Sequence, residues 1–277
     1  MTALEFTAVV WALSALAGFL GALTGLGGGV VVVPALTLAM GVDIKYAIGA
    51  SLVSVIATSS GAAAAYVREG FSNIRIGMFL EIATTLGAIG GAFLAGRIGT
   101  HAIAIIFGLV LIQSAIYSFK GPPGSAAVDA DPLGRRLRLS GSYPVNGRRE
   151  EYGARNVRTG FGIMVGAGLL SGLLGIGSGA VKVIGMDQAM RIPFKVSTTT
   201  SNFMIGVTAA ASAGIYLSHG YIEPHVAMPV MLGVLGGALL GTRVLVHAHV
   251  RTLRIVFGVV VLALAIEMIV NGASGRI

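Results

Sequence analysis

The chain repeats itself at a fixed interval of 150 residues: positions 18–116 lie on 168–266 without a gap. Gly18 meets Gly168, Gly25 meets Gly175, Gly27 meets Gly177 and Gly29 meets Gly179. The same register pairs Lys45 with Lys195, Ser51 with Ser201, Tyr66 with Tyr216, Gly87 with Gly237 and Gly108 with Gly258. A register held over this length is not a product of biased composition. It requires a fold made of two copies of one unit.

The medium of that fold follows from composition. Hydrophobic residues make up 55% and charged residues 11%, against about 25% charged in a soluble domain. Glycine is 42 of 277 residues, about twice the usual share. Small residues let transmembrane helices approach closely. The chain is therefore expected to be an all-α polytopic membrane protein. An apolar chain built as a two-fold repeat with matching glycine-rich breaks is the pattern of a secondary transporter, whose substrate sits where the halves meet.

The net charge of +8 does not indicate nucleic-acid binding, because eight of the 19 Lys and Arg lie in 120–158, between the halves. Cytoplasmic loops of membrane proteins collect such charge. The absence of cysteine excludes disulfides and thiolate metal sites. Positions 6–24 lack a basic start, and their counterpart at 156–174 is internal, so they read as a retained helix rather than a signal sequence.

Apolar stretches run over 6–24, 30–42, 45–66, 76–95 and 102–118, and again over 158–174, 180–192, 195–217, 225–246 and 252–270. Each half thus holds one short segment and three to four longer helices. Thirteen helical residues span about 20 Å, less than the roughly 30 Å hydrocarbon core. Both short segments follow a glycine cluster, at 25–29 and 175–179. Non-helical backbone at membrane depth is tolerated only where protein or a water-filled cavity covers it. The two breaks are therefore expected inside the protein, facing each other.

Charge orients the halves. If each crosses the membrane an odd number of times, the repeats are inverted, and fifteen Lys and Arg fall on the inner side. Lys45, Arg97 and Arg276 lie outside, and Lys182 is within the membrane. Even parity gives 11 to 7. The positive-inside rule prefers the inverted arrangement. The expected organisation is a first membrane repeat at 1–119, a cytoplasmic loop at 120–157 and a second repeat at 158–277. In the loop, alternating Leu137 and Leu139 and the turn signal Asn146-Gly147 suit a small β-hairpin. A solvated linker is the expected role of the loop, with docking or regulation as the alternative.

Three groups of residues carry the candidate chemistry. The first is the glycine breaks, Gly27, Gly28 and Gly29 with Gly177, Ser178 and Gly179. Their backbone N–H groups, at the start of the following helices, can receive an anion without a formal charge. Tight packing is the structural alternative. The second is Lys182, three residues past Gly179. An ionisable residue at membrane depth is a functional candidate, and a lysine snorkelling to the interface is its rival. The third is the hydroxyl run opening the helix at 195, with Thr200, Ser201 and Asn202, of which Ser201 matches Ser51. Such side chains coordinate oxyanions but also bond back to their own helix. Glu81, Asp187, Gln188 and Glu267 are the other polar residues in apolar surroundings. A carboxylate there can carry a coupling proton, whereas Asp187 is expected to pair with Lys182 or Arg191.

The motifs Gly-Ala-Leu-Thr-Gly-Leu-Gly-Gly-Gly (21–29), Val-Val-Val-Val-Pro (30–34) and Gly49-Ala50-Ser51-Leu52 resemble the TauE/SafE family, also called the 4-toluene sulfonate uptake permease family. The second half, with 172–179 and the run Phe194-Lys195-Val196-Ser197-Thr198-Thr199-Thr200-Ser201, is similar to its second signature. Here Ser178 replaces the middle glycine and Ile184 stands where Pro34 does. The resemblance implies a permease for small anions, often sulfur-containing. It also implies that Gly27, Gly28, Gly29, Ser51, Gly177, Ser178, Gly179 and Ser201 line the pathway.

The expected function is a secondary transporter in the cell (inner) membrane, moving a sulfur oxyanion or organosulfonate by alternating access. Its expected partners are the anion, the lipid bilayer, and a proton or sodium ion for coupling. Neither a nucleic acid nor a cofactor is expected. The alternatives are a passive anion channel on the same scaffold and a non-transporting membrane scaffold. No Walker loop, zincin motif or nucleophile elbow points to enzyme chemistry.

Overall fold

A computed structural model of the chain describes residues 2–24, 28–68, 72–119, 130–145, 148–245 and 250–277. Among the described residues the protein is all-α apart from one hairpin. The first repeat contributes α1 (Ala3–Thr24), α2 (Gly29–Pro34), α3 (Ile44–Arg68), α4 (Ile74–Arg97) and α5 (Thr100–Phe119). A short helix α6 (Pro132–Arg136) and strands β1 (Gly141–Val145) and β2 (Arg148–Tyr152) follow. The second repeat contributes α7 (Val157–Leu174), α8 (Gly179–Ile184), α9 (Phe194–Ser218), α10 (Pro224–Leu245) and α11 (Val250–Ala273).

The 150-residue register survives at the level of single helix ends. The helices α2 and α8 start at Gly29 and Gly179, and α3 and α9 run from Ile44 to Arg68 and from Phe194 to Ser218. Both short helices continue as a π-helical turn, Ala35–Ala39 and Gly185–Ala189. Pro34 precedes the first turn, but Ile184 precedes the second, so proline is not its cause. Such turns are uncommon and gather at functional sites.

The repeats pack by exchange. The helix α1 lies on α10, and α7 lies on α4. A Cβ at Gly87 of α4 would strike the Val165 carbonyl of α7, and one at the matching Gly237 of α10 would strike the Ala15 carbonyl of α1. Gly168 against Thr84 and Gly18 against Val234 repeat the match. These contacts bring backbones together without intervening side chains, the close approach that glycine permits in membrane helices. The equivalent helices α5 and α11 run in opposite directions. Gly108 lies against Ala265 and Ile269, and Gly272 lies against His101 and Ala104. At the end of this pair, the Thr100 hydroxyl donates to the Ile277 carbonyl over 3.3 Å.

Among the described residues, four helices are long and apolar enough to cross a membrane: Leu4–Gly21, Ile74–Arg97, Val157–Leu174 and Pro224–Gly241. On α4, Met78, Ile82, Leu86, Ile89 and Phe93 form an exposed stripe at helical spacing, the face an aqueous protein would bury.

The described part of the central loop is not a solvated linker. Strand β1 pairs antiparallel with β2, from Gly141 opposite Tyr152 to Val145 opposite Arg148. The turn at Asn146-Gly147 lies outside the described residues. Leu139, Tyr152 and Ala154 are buried in one apolar cluster with Ile76, Leu80, Met164, Met186 and Val196. The Asn73 amide donates to the Tyr152 hydroxyl over 2.8 Å. Asp131 caps α6 and also accepts from the Val157 amide at the start of α7. Apolar burial and the two bonds of Asp131 hold the loop against α4 of the first repeat and α7 and α9 of the second.

Candidate functional site

The two breaks meet. A Cβ added to Gly29 would lie 2.7 Å from the Ser51 hydroxyl, 3.1 Å from Val55 and 3.2 Å from the Gly175 carbonyl. The Ser51 hydroxyl, fully buried, donates to that same carbonyl over 2.9 Å. Gly177 faces Ile205 of α9, and its Cβ position lies 3.5 Å from Val55. A side chain of α3 therefore touches both breaks. Gly27 lies outside the described residues, as do Gly25 and Leu26.

The breaks are not identical copies. Gly28 is ordinary helical backbone at φ −64, whereas the matching Ser178 is left-handed at φ 46, ψ 32. Gly175 and Gly177 also have positive φ, near +65 and +70, which glycine adopts without penalty. Ser178 is buried, and its hydroxyl has no hydrogen-bond partner among the described residues. Ser201 donates to the Gly179 carbonyl over 3.3 Å, within its own repeat. Repeat symmetry would send it to Gly25.

Lys182 is fully buried rather than snorkelling. Its ammonium donates to the Thr208 hydroxyl of α9 over 2.6 Å. Thr208 lies 2.7 Å from Glu81 Oε1 of α4, and the Thr85 hydroxyl reaches the same oxygen over 3.2 Å. The other Glu81 oxygen, Oε2, is buried without a partner among the described residues. Lys182 and Glu81 are thus joined through one hydroxyl. Asp187 takes neither expected partner: its Oδ2 is buried with no hydrogen bond among the described residues.

The hydroxyl run separates into different jobs. Thr200 accepts from the Asn73 amide over 3.0 Å, at the entry to α4. Thr198 and Thr199 bond back to the Phe194 and Lys195 carbonyls, the local role such residues take in helices. Asn202 is half-buried and makes no side-chain hydrogen bond to the other candidates among the described residues. Thr208, not singled out from the sequence, carried a readable signal. Ser197, Ser201, Thr208 and Ser212 are all buried, at spacings of one and two helical turns, so they share one face of α9.

The sequence model of the family described as "Sulfite exporter TauE/SafE" matches residues 10–268. The chain belongs to the TauE/SafE family. It is similar to the "Probable membrane transporter protein YunE" of Bacillus subtilis (strain 168), at 24% identity over 94% of this chain and 96% of that one. The B. subtilis "Probable membrane transporter protein YdhB" is 28% identical, over 85% of this chain and 87% of its own. A "Probable membrane transporter protein" of Xylella fastidiosa (strain 9a5c) is 25% identical, over 92% and 91%. No solved structure matches. As a TauE/SafE protein the chain is a multi-pass membrane protein, and the contact between the breaks joins the two motifs on which the family resemblance was first read.

Proposed function

We propose that this TauE/SafE protein is a secondary transporter that moves a small anion, a sulfur oxyanion or organosulfonate, across the cell membrane by alternating access. The contact of the Gly29 break with Ser51 and Gly175 carries the reading, because it brings the interrupted backbone of both repeats to one place. Non-helical backbone inside a membrane protein forms substrate sites in repeat-built transporters. Around the junction, Gly28, Gly29, Gly177 and Gly179 contribute backbone, while Ser51, Ser178 and Ser201 contribute hydroxyls. Lys182, on the helix that starts at Gly179, supplies the positive charge an anion needs at that depth.

The halves are inverted in the membrane, with 120–157 on the cytoplasmic side. The antiparallel α5 and α11 support this, since a two-fold operation that exchanges antiparallel spanning helices has its axis in the membrane plane. The rivals separate in proteoliposomes loaded with unlabelled thiosulfate or methanesulfonate. A carrier takes up the labelled anion by saturable exchange. A channel passes current without saturation or exchange, and a scaffold shows no flux.

A further inference from the structure

The Lys182–Thr208–Glu81 relay occupies only one of two equivalent places in the fold. Applying the 150-residue register to its members gives Val32, Thr58 and Met231. At the symmetry-related junction of α2, α3 and α10 the ion-carrying positions are therefore apolar, and Val32 is buried. Packing alone would be satisfied by that apolar version. A buried pair of opposite charges is seldom a net stabiliser against apolar residues of similar size. The charges at the α4–α8–α9 junction therefore call for another explanation.

We infer that Glu81 is the proton site of coupled transport, with Lys182 as the cation shared between the Glu81 carboxylate and the transported anion. This rests on the transporter reading above. In the resting arrangement Lys182 and Glu81 are a neutral pair bridged by Thr208. A monovalent anion such as methanesulfonate arriving at Lys182 leaves one uncompensated negative charge inside the hydrocarbon, which is costly. A proton taken from the aqueous phase onto Glu81 converts carboxylate to carboxylic acid and restores the balance. The acceptor atom is Oε2, buried and unpartnered among the described residues, while Oε1 is held by Thr208 and Thr85. On release of the anion, the proton leaves for the opposite side and Lys182 returns to the carboxylate.

The surroundings of Glu81 favour a proton over sodium. From α8 the facing group is the Lys182 cation, which repels a metal ion. From α9 it is the Thr208 hydroxyl, and on α4 itself Thr84 and Thr85. The face that α7 turns to this part of α4 offers Val165, Gly168 and Leu169, none of which titrates. Asp187, the other buried carboxylate on a transmembrane element, lacks the bridged cation that an anion would have to recruit.

The test uses purified full-length protein in sodium-free liposomes, with the potential clamped at zero by potassium and valinomycin. The probes are methanesulfonate and thiosulfate, which stay deprotonated across the working pH range. For the wild type, an inward proton gradient drives anion accumulation, and anion entry acidifies a pyranine-loaded lumen. Glu81→Gln lowers that accumulation by about tenfold or more, yet retains measurable counterflow of labelled against unlabelled anion. Asp187→Asn keeps the accumulation. A double variant, Glu81→Met with Lys182→Val, copies the apolar side of the fold and leaves no unpaired buried charge. It stays monodisperse and shows no proton-driven accumulation. Exchange without acidification in the wild type overturns the coupling alone. Accumulation retained in Glu81→Gln also overturns it, and so does loss of both accumulation and counterflow, which makes Glu81 a binding or structural group. A wild type that moves neither probe overturns the transporter reading and the coupling with it.

Discussion

The Ser51 hydroxyl donates to the Gly175 carbonyl over 2.9 Å, so a side chain of the first repeat closes on the broken backbone of the second. Both atoms are buried. Gly175 ends α7 in the left-handed conformation, with its own amide donating to the Ser171 carbonyl. Its carbonyl is free of the helical ladder, and Ser51 is the group that satisfies it.

Ser51→Ala removes that partner and leaves a carbonyl buried without a hydrogen bond, at a cost of about 1–3 kcal/mol. The melting midpoint in detergent falls. Ser54→Ala is the control, since the Ser54 hydroxyl donates to the Ser51 carbonyl of its own helix. Its midpoint stays close to that of the wild type. Equal losses in the two variants would remove the special standing of the Ser51 contact.

Exchanging residues between the breaks has opposite effects in the two directions. A non-glycine residue in left-handed backbone carries about 1–2 kcal/mol of strain, and the Ser178 hydroxyl has no partner among the described residues. Ser178→Gly therefore raises the melting midpoint, while a lost hydroxyl contact weakens thiosulfate binding by a few-fold. The repeat register alone suggests that Gly28→Ser, which copies Ser178, is tolerated. The geometry says otherwise, because a Cβ there would lie 2.8 Å from Val234 Cγ1. Gly28→Ser lowers the midpoint, and adding Val234→Ala recovers much of the loss. A stable Gly28→Ser single variant would contradict this.

A reporter fused after Ile277 reads the external side in the inverted topology. The charge asymmetry of the loops and the opposite directions of α5 and α11 lead to the same expectation. A cytoplasmic signal contradicts it.

Helices, breaks and the repeat were legible because each has a local signature: hydropathy over about 20 residues, glycine clusters, and a constant offset. The starts of α2 and α8 followed, to within one residue, from the clusters at 25–29 and 175–179; their early change to π-helical turns did not. The relay was legible only in pieces. Lys182 and Glu81 stand out as charges in apolar sequence, but they are 101 positions apart. Only the packing of α4 and α8 on α9 shows that Thr208 bridges them. The docking of the loop was hidden for a similar reason. Leu139, Tyr152 and Ala154 are scattered among charges, and their burial depends on a surface built by α4, α7 and α9. The conformational difference between Gly28 and Ser178 could not be read from aligned letters at all. Backbone dihedrals respond to tertiary neighbours, and Val234 has no counterpart on the other side but Thr84.

The account stands on the two breaks forming one shared site, and labelled thiosulfate counterflow in Gly29→Val and Gly177→Val tests it most directly. At Gly29 a side chain enters the space between Ser51 and the Gly175 carbonyl, and at Gly177 it meets Ile205 in left-handed backbone. Counterflow is predicted to drop to the level of protein-free liposomes in both variants, with each still inserted and monodisperse. Normal counterflow in either one would contradict the shared site and assign the pathway to the other repeat.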